Sequence, residues 1–222
     1  METSLHRQLK ALYADGHSQI EAPLDGYRID VLRAGELIEI QHGSLAAIRD
    51  KVRRLLAHHR VRVVKPIVAR KQLVNQTSRG GRVVQRRLSP KRGRILDLFH
   101  ELVYFTRAFP HENLTLEVPL VEVEEWRYPG HGKRRRRRER DHEVEDQRLT
   151  GLQQVHQFHT ATDLLELLPQ GVPQPFDTGQ LANQLDIPRW FAQRIAYCLR
   201  QTGAVSEVGK QGNTRLYRAQ SA

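Results

Sequence analysis

Two carboxylates and one amide near the amino terminus have the types and spacing to bind a hard cation. Asp30 lies in one alternating apolar stretch, Glu39 and Gln41 lie in the next, and the turn RAGE separates the two stretches. Because side chains alternate faces along a strand, Glu39 and Gln41 are predicted to point the same way, while their isoleucine neighbours point into a core. If the stretches pair as a hairpin, Asp30 lies nearly opposite Glu39 and Gln41. Hard divalent cations prefer such converging oxygen ligands.

The flanking segments predict the elements that position this hairpin. Leucine spacing predicts a helix over 4–14, and alternation predicts a strand over 18–24. After the hairpin, apolar residues at intervals of three and four predict a helix over 44–60, and a β-branched run predicts a buried parallel strand over 61–69. This order of helix, three strands, helix and strand resembles the core of the PD-(D/E)xK nuclease superfamily, the restriction-endonuclease-like fold. The resemblance covers roughly residues 1–70 and predicts an α/β fold in which helices flank a mixed sheet.

The resemblance implies a metal-dependent nuclease site. Asp30 and Glu39 match the acidic residues that bind Mg²⁺ or Mn²⁺ in this superfamily and activate water, with the carbonyl of Ile40 as a further ligand. An acidic residue from the first helix or strand often completes such sites, and Glu21 is the better candidate here, with Glu2 as the alternative. Gln41 fills the position of the usual lysine, and the string IEIQ is similar to that of competence-type CoiA nucleases.

The missing lysine puts turnover in question more than metal binding. The amide of Gln41 can ligate a metal or orient water, but it cannot supply positive charge to a pentavalent phosphate. Lys51, at the edge of the apolar face of the second predicted helix, is the available substitute because its long stem can reach toward the sheet. The alternatives are a solvated cation at Lys51 and an ordinary exposed hairpin at Asp30 and Glu39.

Charge indicates a polyanionic partner. The 222 residues include 36 Lys and Arg against 25 Asp and Glu, a formal net charge of +11. Such an excess favours DNA through phosphate contacts and counterion release. The run KRRRRR is predicted to form a flexible linker that grips phosphates, and a plain solvated linker is the alternative. RNA binding is the weaker expectation, since aromatic residues make up 6% of the chain. The run begins with Lys133, Arg134, Arg135 and Arg136.

Residues 70–130 are predicted to extend the first domain with a basic hairpin, a helix over 92–106 and a strand over 114–128. Pro119 indicates that this strand lies at an edge or carries a bulge. Basic side chains cluster between the hairpin and the helix, where they can line a nucleic-acid groove or form a solvated surface. These are Arg86, Arg87, Lys91 and Arg92.

The last third resembles a winged helix-turn-helix domain over about residues 160–219. Helices are predicted over 160–169, over 177–187 with Asp177 or Thr178 as the cap, and over 187–203, before a terminal hairpin. The resemblance implies that the third helix enters the major groove of DNA and that the wing contacts the backbone, although many winged helices bind proteins instead. The candidate contacts are Arg189, Gln193, Arg194 and Arg200 on the helix and Lys210, Asn213 and Arg215 on the wing.

The predicted organisation is a nuclease-like domain over 1–130, a basic linker over 131–150 and a winged helix over 151–222. A single cysteine excludes a disulfide framework and favours a reducing cytoplasm. No apolar run approaches about 18 residues, so neither membrane insertion nor a membrane partner is expected. The predicted function is Mg²⁺-dependent hydrolysis of DNA, the alternative is a catalytically inactive DNA-binding or regulatory protein, and a homodimer is compatible with either.

Overall fold

One mixed sheet of eight strands carries the fold. The computed structural model describes residues 3–130 and 141–220. The helices are α1 (Ser4–Tyr13), α2 (Arg49–Leu55), α3 (Leu98–Leu102), α4 (Thr178–Leu185) and α5 (Arg189–Thr202). The strands are β1 (Gln19–Leu24), β2 (Tyr27–Arg33), β3 (Glu36–Ile40), β4 (Arg60–Val64), β5 (Ile67–Gln76), β6 (Val83–Leu88), β7 (Leu114–Pro129), β8 (His142–Phe158), β9 (Val205–Gln211) and β10 (Thr214–Ala219).

The first six elements follow in the predicted order of helix, three strands, helix and strand. Strands β1, β2 and β3 pair antiparallel, whereas β3 and β4 are parallel because α2 carries the chain back across the sheet. The helix α1 begins at Thr3, whose hydroxyl accepts a hydrogen bond from the His6 N–H. Its residues Leu5 and Leu9 are fully buried. The predicted α/β class with a mixed sheet flanked by helices is therefore confirmed.

Helices cover both faces of the sheet. On one face, α1 packs in a smaller core with Val31, Ile38 and Ile40. On the other face, α2 and α3 pack in a larger core with Ile29 and Leu37. Strand β3 therefore alternates its side chains between two cores.

Strands β4 and β5 form one nearly continuous strand beside β7. Val64 pairs with Glu117 and Ile67 pairs with Leu120, so both segments keep the same parallel register. Pro119 lies in the interior of the sheet, and a bulge follows it between Leu120 and Val121 where β7 pairs with β8. Of the two predicted alternatives, the edge is wrong and the bulge is correct.

Strand β8 corrects the predicted linker. Residues 142–150 belong to β8, which pairs antiparallel with β7 along its whole length. The sequence of this segment resembles a linker because most of its side chains are polar, and its strand pairing is a long-range contact. The basic residues Lys133, Arg134, Arg135 and Arg136 lie outside the described residues, as does Glu2.

Three predicted helices are shorter or tighter than expected. The segment 44–60 contains a 3₁₀ turn at Leu45–Ala47 and the seven-residue α2. Instead of one helix over 92–106, a 3₁₀ turn at Ile95–Asp97 leads into the five-residue α3, and i→i+3 hydrogen bonds follow, such as Phe105 N–H to the Leu102 carbonyl. The segment 160–169 contains a 3₁₀ helix at Thr162–Leu167. Within the segment 92–106, Phe99 and Phe105 are nevertheless fully inaccessible to solvent.

The carboxyl-terminal elements match the prediction most closely. Asp177 caps α4, and α5 ends at Gly203, whose φ of 84° favours glycine. Strands β9 and β10 pair as the predicted hairpin, and a bridge between Phe176 and Tyr217 adds a third extended segment. None of the helices within 3–130 and 141–220 is long and apolar enough to cross a membrane.

The larger core crosses the predicted domain boundary. It includes Phe99 of α3 together with Phe191 and Cys198 of α5. Burial raises the pKa of the Cys198 thiol to about 12. We call the segment from α4 to β10 the carboxyl-terminal unit and the segment from α1 to β8 the sheet domain. The shared core shows that the two are packed against each other.

Candidate functional site at the β2–β3 fork

Strands β2 and β3 separate at Asp30 and Glu39. The ladder runs from Arg33↔Glu36 to Val31↔Ile38, so Asp30 and Glu39 come next in register. Strict alternation also fails here. Ile29 and Val31 are two residues apart and would share one face of a regular strand, but Ile29 packs in the larger core with Leu32, whereas Val31 packs in the smaller core. We call the point where the two strands part the β2–β3 fork.

The carboxylate of Asp30 spans this fork. Its Oδ2 accepts a hydrogen bond of 2.8 Å from the Ile40 N–H, and its Oδ1 lies 3.1 Å from Nε2 of His6 on α1. Burial by itself raises the pKa of Asp30, but the hydrogen bonds from His6 and Ile40 outweigh it and hold the pKa below its usual value. Asp30 is therefore an ionised, firmly oriented carboxylate.

The carboxylate of Glu39 is more deeply buried, with 5% of the residue exposed. Nζ of Lys51 lies 2.6 Å from its Oε1 and also donates to the Arg28 carbonyl at 2.7 Å. Burial raises the pKa of Glu39, Lys51 offsets only part of this effect, and the charge of Asp30 adds to it. The backbone amide of Asp30 lowers this pKa slightly. The carboxylate of Asp30 thus contacts β3 directly beside Glu39.

The two acids are approached from opposite faces of the sheet. His6 of α1 contacts Asp30 from the side of the smaller core, whereas Lys51 of α2 contacts Glu39 from the side of the larger core. A cleft of about 560 Å³ opens on the α1 side and is lined by Asp30 but not by Glu39. Its lining residues are Thr3, His6, Lys10, Glu21, Arg28, Asp30 and His42.

Gln41 follows the end of β3 and does not join the two acids. Its N–H donates to the Val64 carbonyl at 2.8 Å, and its side-chain amide donates to the Ser44 carbonyl at 2.7 Å. Lys65, which follows Val64, is also buried, and its Nζ contacts the His42 and Gly43 carbonyls. The side-chain amide of Gln41, which is expected from the sequence at the metal site, instead stabilises the loop after β3.

The residues at the fork offer a partial set of ligands for a divalent cation. Oε1 of Glu39 is buried and, among the described residues, has no well-aligned hydrogen bond, because the short contact with Lys51 is an ion pair of poor hydrogen-bond geometry. Magnesium needs only one or two protein carboxylates and keeps several waters. No group of three or more His, Cys, Asp or Glu side chains within 3–130 and 141–220 is arranged to hold a metal. The fork therefore supplies two carboxylates, those of Asp30 and Glu39.

Glu21 lines the same cleft as Asp30 but is held by cations. Its Oε1 lies 2.8 Å from Nζ of Lys10, and its Oε2 contacts Arg28. Sequence reasoning missed His6 and Lys10, which lie one turn apart on α1. Their i,i+4 spacing is the signal that places both on one helix face.

A second polar surface lies between α5 and the terminal hairpin. Arg189, Arg200 and Arg215 line a groove of about 280 Å³ together with Gln193, Tyr197 and Asn213. Glu207 lies 3.8 Å from Arg200 and 3.2 Å from Arg215. The groove gathers five of the seven residues of the third helix and the wing that are predicted to contact DNA.

Two predicted contacts lie elsewhere. Arg194 turns toward α3, where its Nη1 contacts Nδ1 of His100 at 2.6 Å. Arg194 therefore lies outside the lining of the groove, because the α3–α5 contact engages its side chain. Lys210 is exposed on β9 outside the lining of the groove.

The basic cluster after β5 is dispersed. Arg86 contacts Oε1 of Glu124 at 2.6 Å and lies over the ring of Trp126. Arg87 lines a separate cleft of about 760 Å³ between the β5–β6 and β7–β8 hairpins. Lys91 and Arg92 are exposed in the loop after β6. These four residues do not form one site with the β2–β3 fork.

Comparison with known proteins places the chain in a family. A family model described as a domain of unknown function, DUF8091, matches residues 3–159, the segment from α1 to the end of β8. An uncharacterized protein of Treponema pallidum (strain Nichols) is 28% identical over 219 residues, which cover 98% of this chain and 85% of the relative. No solved structure matches the chain. Because the family model spans well over half of the sequence, the chain belongs to the DUF8091 family.

Proposed function

We propose that the protein is a metal-dependent nuclease that hydrolyses DNA phosphodiester bonds at the β2–β3 fork. The observation that carries the proposal is the hydrogen bond from the Ile40 N–H to Asp30, directly beside Glu39, together with the ion pair from Lys51 to Glu39. The element order around the fork agrees with that of the restriction-endonuclease-like fold. Lys51 supplies, from the following helix, the positive charge that Gln41 lacks.

Each residue at the fork has a distinct role in this proposal. Asp30, ionised and fixed by His6 and Ile40, and Glu39, held by Lys51, would bind Mg²⁺ or Mn²⁺. A divalent cation supplies Lewis acidity, which makes water more acidic and offsets charge on the phosphate. Lys51 orients Glu39 and offsets part of the rise in its pKa that burial causes. The role of Gln41 is to fix the loop after β3.

The carboxyl-terminal unit would hold the DNA. Its helices α4 and α5, the β9–β10 hairpin and the Phe176–Tyr217 bridge support the winged-helix assignment. The groove that contains Arg189, Arg200 and Arg215 is suited to phosphate oxygens, because arginine binds them through several N–H donors at once. The net charge of +11 favours the same partner.

A cleavage assay tests the proposal. Purified protein is incubated with plasmid and with single-stranded DNA in Mg²⁺, Mn²⁺ or EDTA, beside the Asp30→Ala/Glu39→Ala double variant. An Asp50→Ala variant is the matched control, since Asp50 is an exposed acid on α2 that pairs with Arg49. Cleavage that needs the metal and disappears only in the double variant supports the proposal. Equal cutting by the double variant, or none by any protein, contradicts it.

A second candidate is a DNA-binding protein that does not cut. It is favoured by the opposite approach of His6 and Lys51 to the two acids, and by the absence of Glu39 from the cleft that Asp30 lines. It predicts that the double variant binds DNA with wild-type affinity and that Mg²⁺ does not alter this affinity. Gel-shift titrations with and without Mg²⁺ separate the two candidates.

A further inference from the structure

Two cations from different elements converge on one carboxylate at the cleft beside Asp30. Lys10 of α1 contacts Oε1 of Glu21, and Arg28 of β2 contacts Oε2. Each oxygen of the carboxylate therefore faces its own cation. We call Lys10 and Arg28, with Glu21 between them, the anion clamp.

Glu21 is held in an unfavourable backbone conformation. Its φ is 58°, in the left-handed region, although the neighbouring pairs Ile20↔Val31 and Ala22↔Ile29 keep β1 in register. A residue with a side chain rarely adopts this conformation within a strand, and such strain persists only where the surroundings enforce it. In this conformation Glu21 meets both Lys10 and Arg28.

The two cations differ in exposure to solvent. Lys10 is 5% exposed, so its ammonium is largely shielded from water. The side chain of Arg28 is 71% exposed and has room to follow a ligand. The cleft that they line measures about 560 Å³, a volume within the range of small-ligand sites. Thr3, the cap residue of α1, also lines it, so the positive end of the helix dipole lies close by.

We propose that the anion clamp binds a phosphate group of nucleic acid and that Glu21 is the resident anion that the phosphate displaces. A phosphate presents two charged oxygens to the pair of cations, as the carboxylate does, and carries at least the same charge. Nucleic acid as the source of the phosphate rests on the proposed function. Because Asp30 lines the same cleft, a phosphate in the clamp lies beside the proposed cleavage site.

This inference assigns Glu21 a role opposite to that of a metal ligand. The negative charge of a metal ligand attracts the cation, so removal of that charge weakens cation binding. A resident anion competes with the incoming phosphate, so removal of its charge strengthens phosphate binding. The variant Glu21→Gln therefore separates the two roles by the sign of its effect.

The test is the binding of inorganic phosphate by the full chain in EDTA, measured by calorimetric titration. Glu21→Gln is expected to tighten phosphate binding about tenfold and Arg28→Gln to weaken it about tenfold, the size of one charge-assisted hydrogen bond. Asp50→Asn and Arg49→Gln are matched controls, because they break another exposed ion pair of the same domain with the same charge changes. Both controls are expected to bind phosphate within about twofold of wild type, as surface pairs contribute little.

The source of the phosphate is resolved with short oligonucleotides that carry either a 5′-phosphate or a 5′-hydroxyl. An Arg28→Gln effect confined to the 5′-phosphate assigns the clamp to terminal phosphates, and an equal effect on both assigns it to internal diesters. Both results support the clamp. Phosphate binding that is unchanged in Arg28→Gln, or that fails to tighten in Glu21→Gln, overturns it. Because the titration contains no metal and measures no cleavage, its failure is distinguishable from failure of the nuclease proposal.

Discussion

Nζ of Lys51 lies 2.6 Å from Oε1 of Glu39, so α2 and β3 are joined by an ion pair that the larger core largely shields from water. The two side chains are 18% and 6% exposed. Lys51 also bonds the Arg28 carbonyl, so one ammonium connects α2 with both strands of the β2–β3 fork.

Removing Lys51 should destabilise the protein in a pH-dependent manner. Lys51→Met leaves Glu39 as a buried charge without its partner, at a cost of about 3 kcal/mol in the free energy of unfolding near pH 7. Burial already raises the pKa of Glu39, and loss of the ammonium raises it further. The cost should therefore shrink as the pH falls through this raised pKa and Glu39 becomes neutral. Urea unfolding at pH 5 and pH 7.5 measures this difference, and the Glu39→Gln/Lys51→Met double variant should recover much of the loss.

Asp30 should contribute stability that disappears in acid. Its pKa is held below the usual value, so its contribution is complete above the pKa of the unfolded chain and is lost as the pH falls toward the folded pKa. Asp30→Asn is expected to cost about 1–2 kcal/mol at pH 7 and almost nothing near pH 2. Thermal unfolding across this range checks the prediction. His6→Gln should reproduce part of the effect, and an Asp30→Asn curve parallel to wild type would contradict it.

The groove beside α5 should determine the salt dependence of DNA binding. Arg189→Gln and Arg215→Gln are each expected to weaken binding and to reduce the slope of log K against log salt by about one, the value for one phosphate contact. Arg194→Gln is the matched control on the same helix, because its side chain contacts His100 of α3. Fluorescence anisotropy at several salt concentrations gives the slopes. A control that loses as much slope as the groove variants would argue against the groove as the DNA site.

The contact between α3 and α5 should weaken at low pH. The His100 ring stacks on Phe191 and contacts Arg194, and burial and the charge of Arg194 lower the pKa of His100. Asp97 and Glu101 also act on the ring and oppose this shift. Since the pKa is lowered by folding, stability is full above the unfolded pKa near 6.5 and declines as the pH falls. His100→Gln should flatten this decline in urea unfolding between pH 7.5 and pH 5, and an exposed His17→Gln control should not.

The sheet domain and the carboxyl-terminal unit should unfold together. Phe191 is 3% exposed and packs in the larger core that both units share, so Phe191→Ala is expected to cost about 3–4 kcal/mol. Trp190→Ala, at a neighbouring position that is 56% exposed, should cost less than about 1 kcal/mol. Circular dichroism during urea unfolding should show a single transition that moves as a whole. Two separate transitions, of which Phe191→Ala shifts only one, would contradict the shared core.

Local patterns in the sequence predict the elements around the fork because each depends on near neighbours. Leu5 and Leu9 mark the buried face of α1, and Ile38 and Ile40 mark one face of β3. Asp177 and Gly203 mark helix ends through cap chemistry that is local to the chain. Periodicity and capping are sufficient for such features.

Features that depend on distant contacts escaped prediction. Strand β8 has few buried side chains and is defined by pairing with β7, so its own sequence resembles a linker. Arg194 has the position of a groove residue on α5, but α3 engages its side chain. The approach of α1 and α2 to the fork from opposite faces depends on the packing of two cores, which no single segment encodes.

Packing between Phe99 and the residues of α5 has a geometric consequence for any DNA held by the protein. A duplex seated beside Arg189 and Arg215 would pass the β2–β3 fork at a fixed separation, because α3 and α5 pack in one shared core. Product ends mapped on a sequencing gel would then lie a constant number of nucleotides from the protected footprint. The packing of α3 against α5 would thus set the distance between the bound DNA and the point of cleavage.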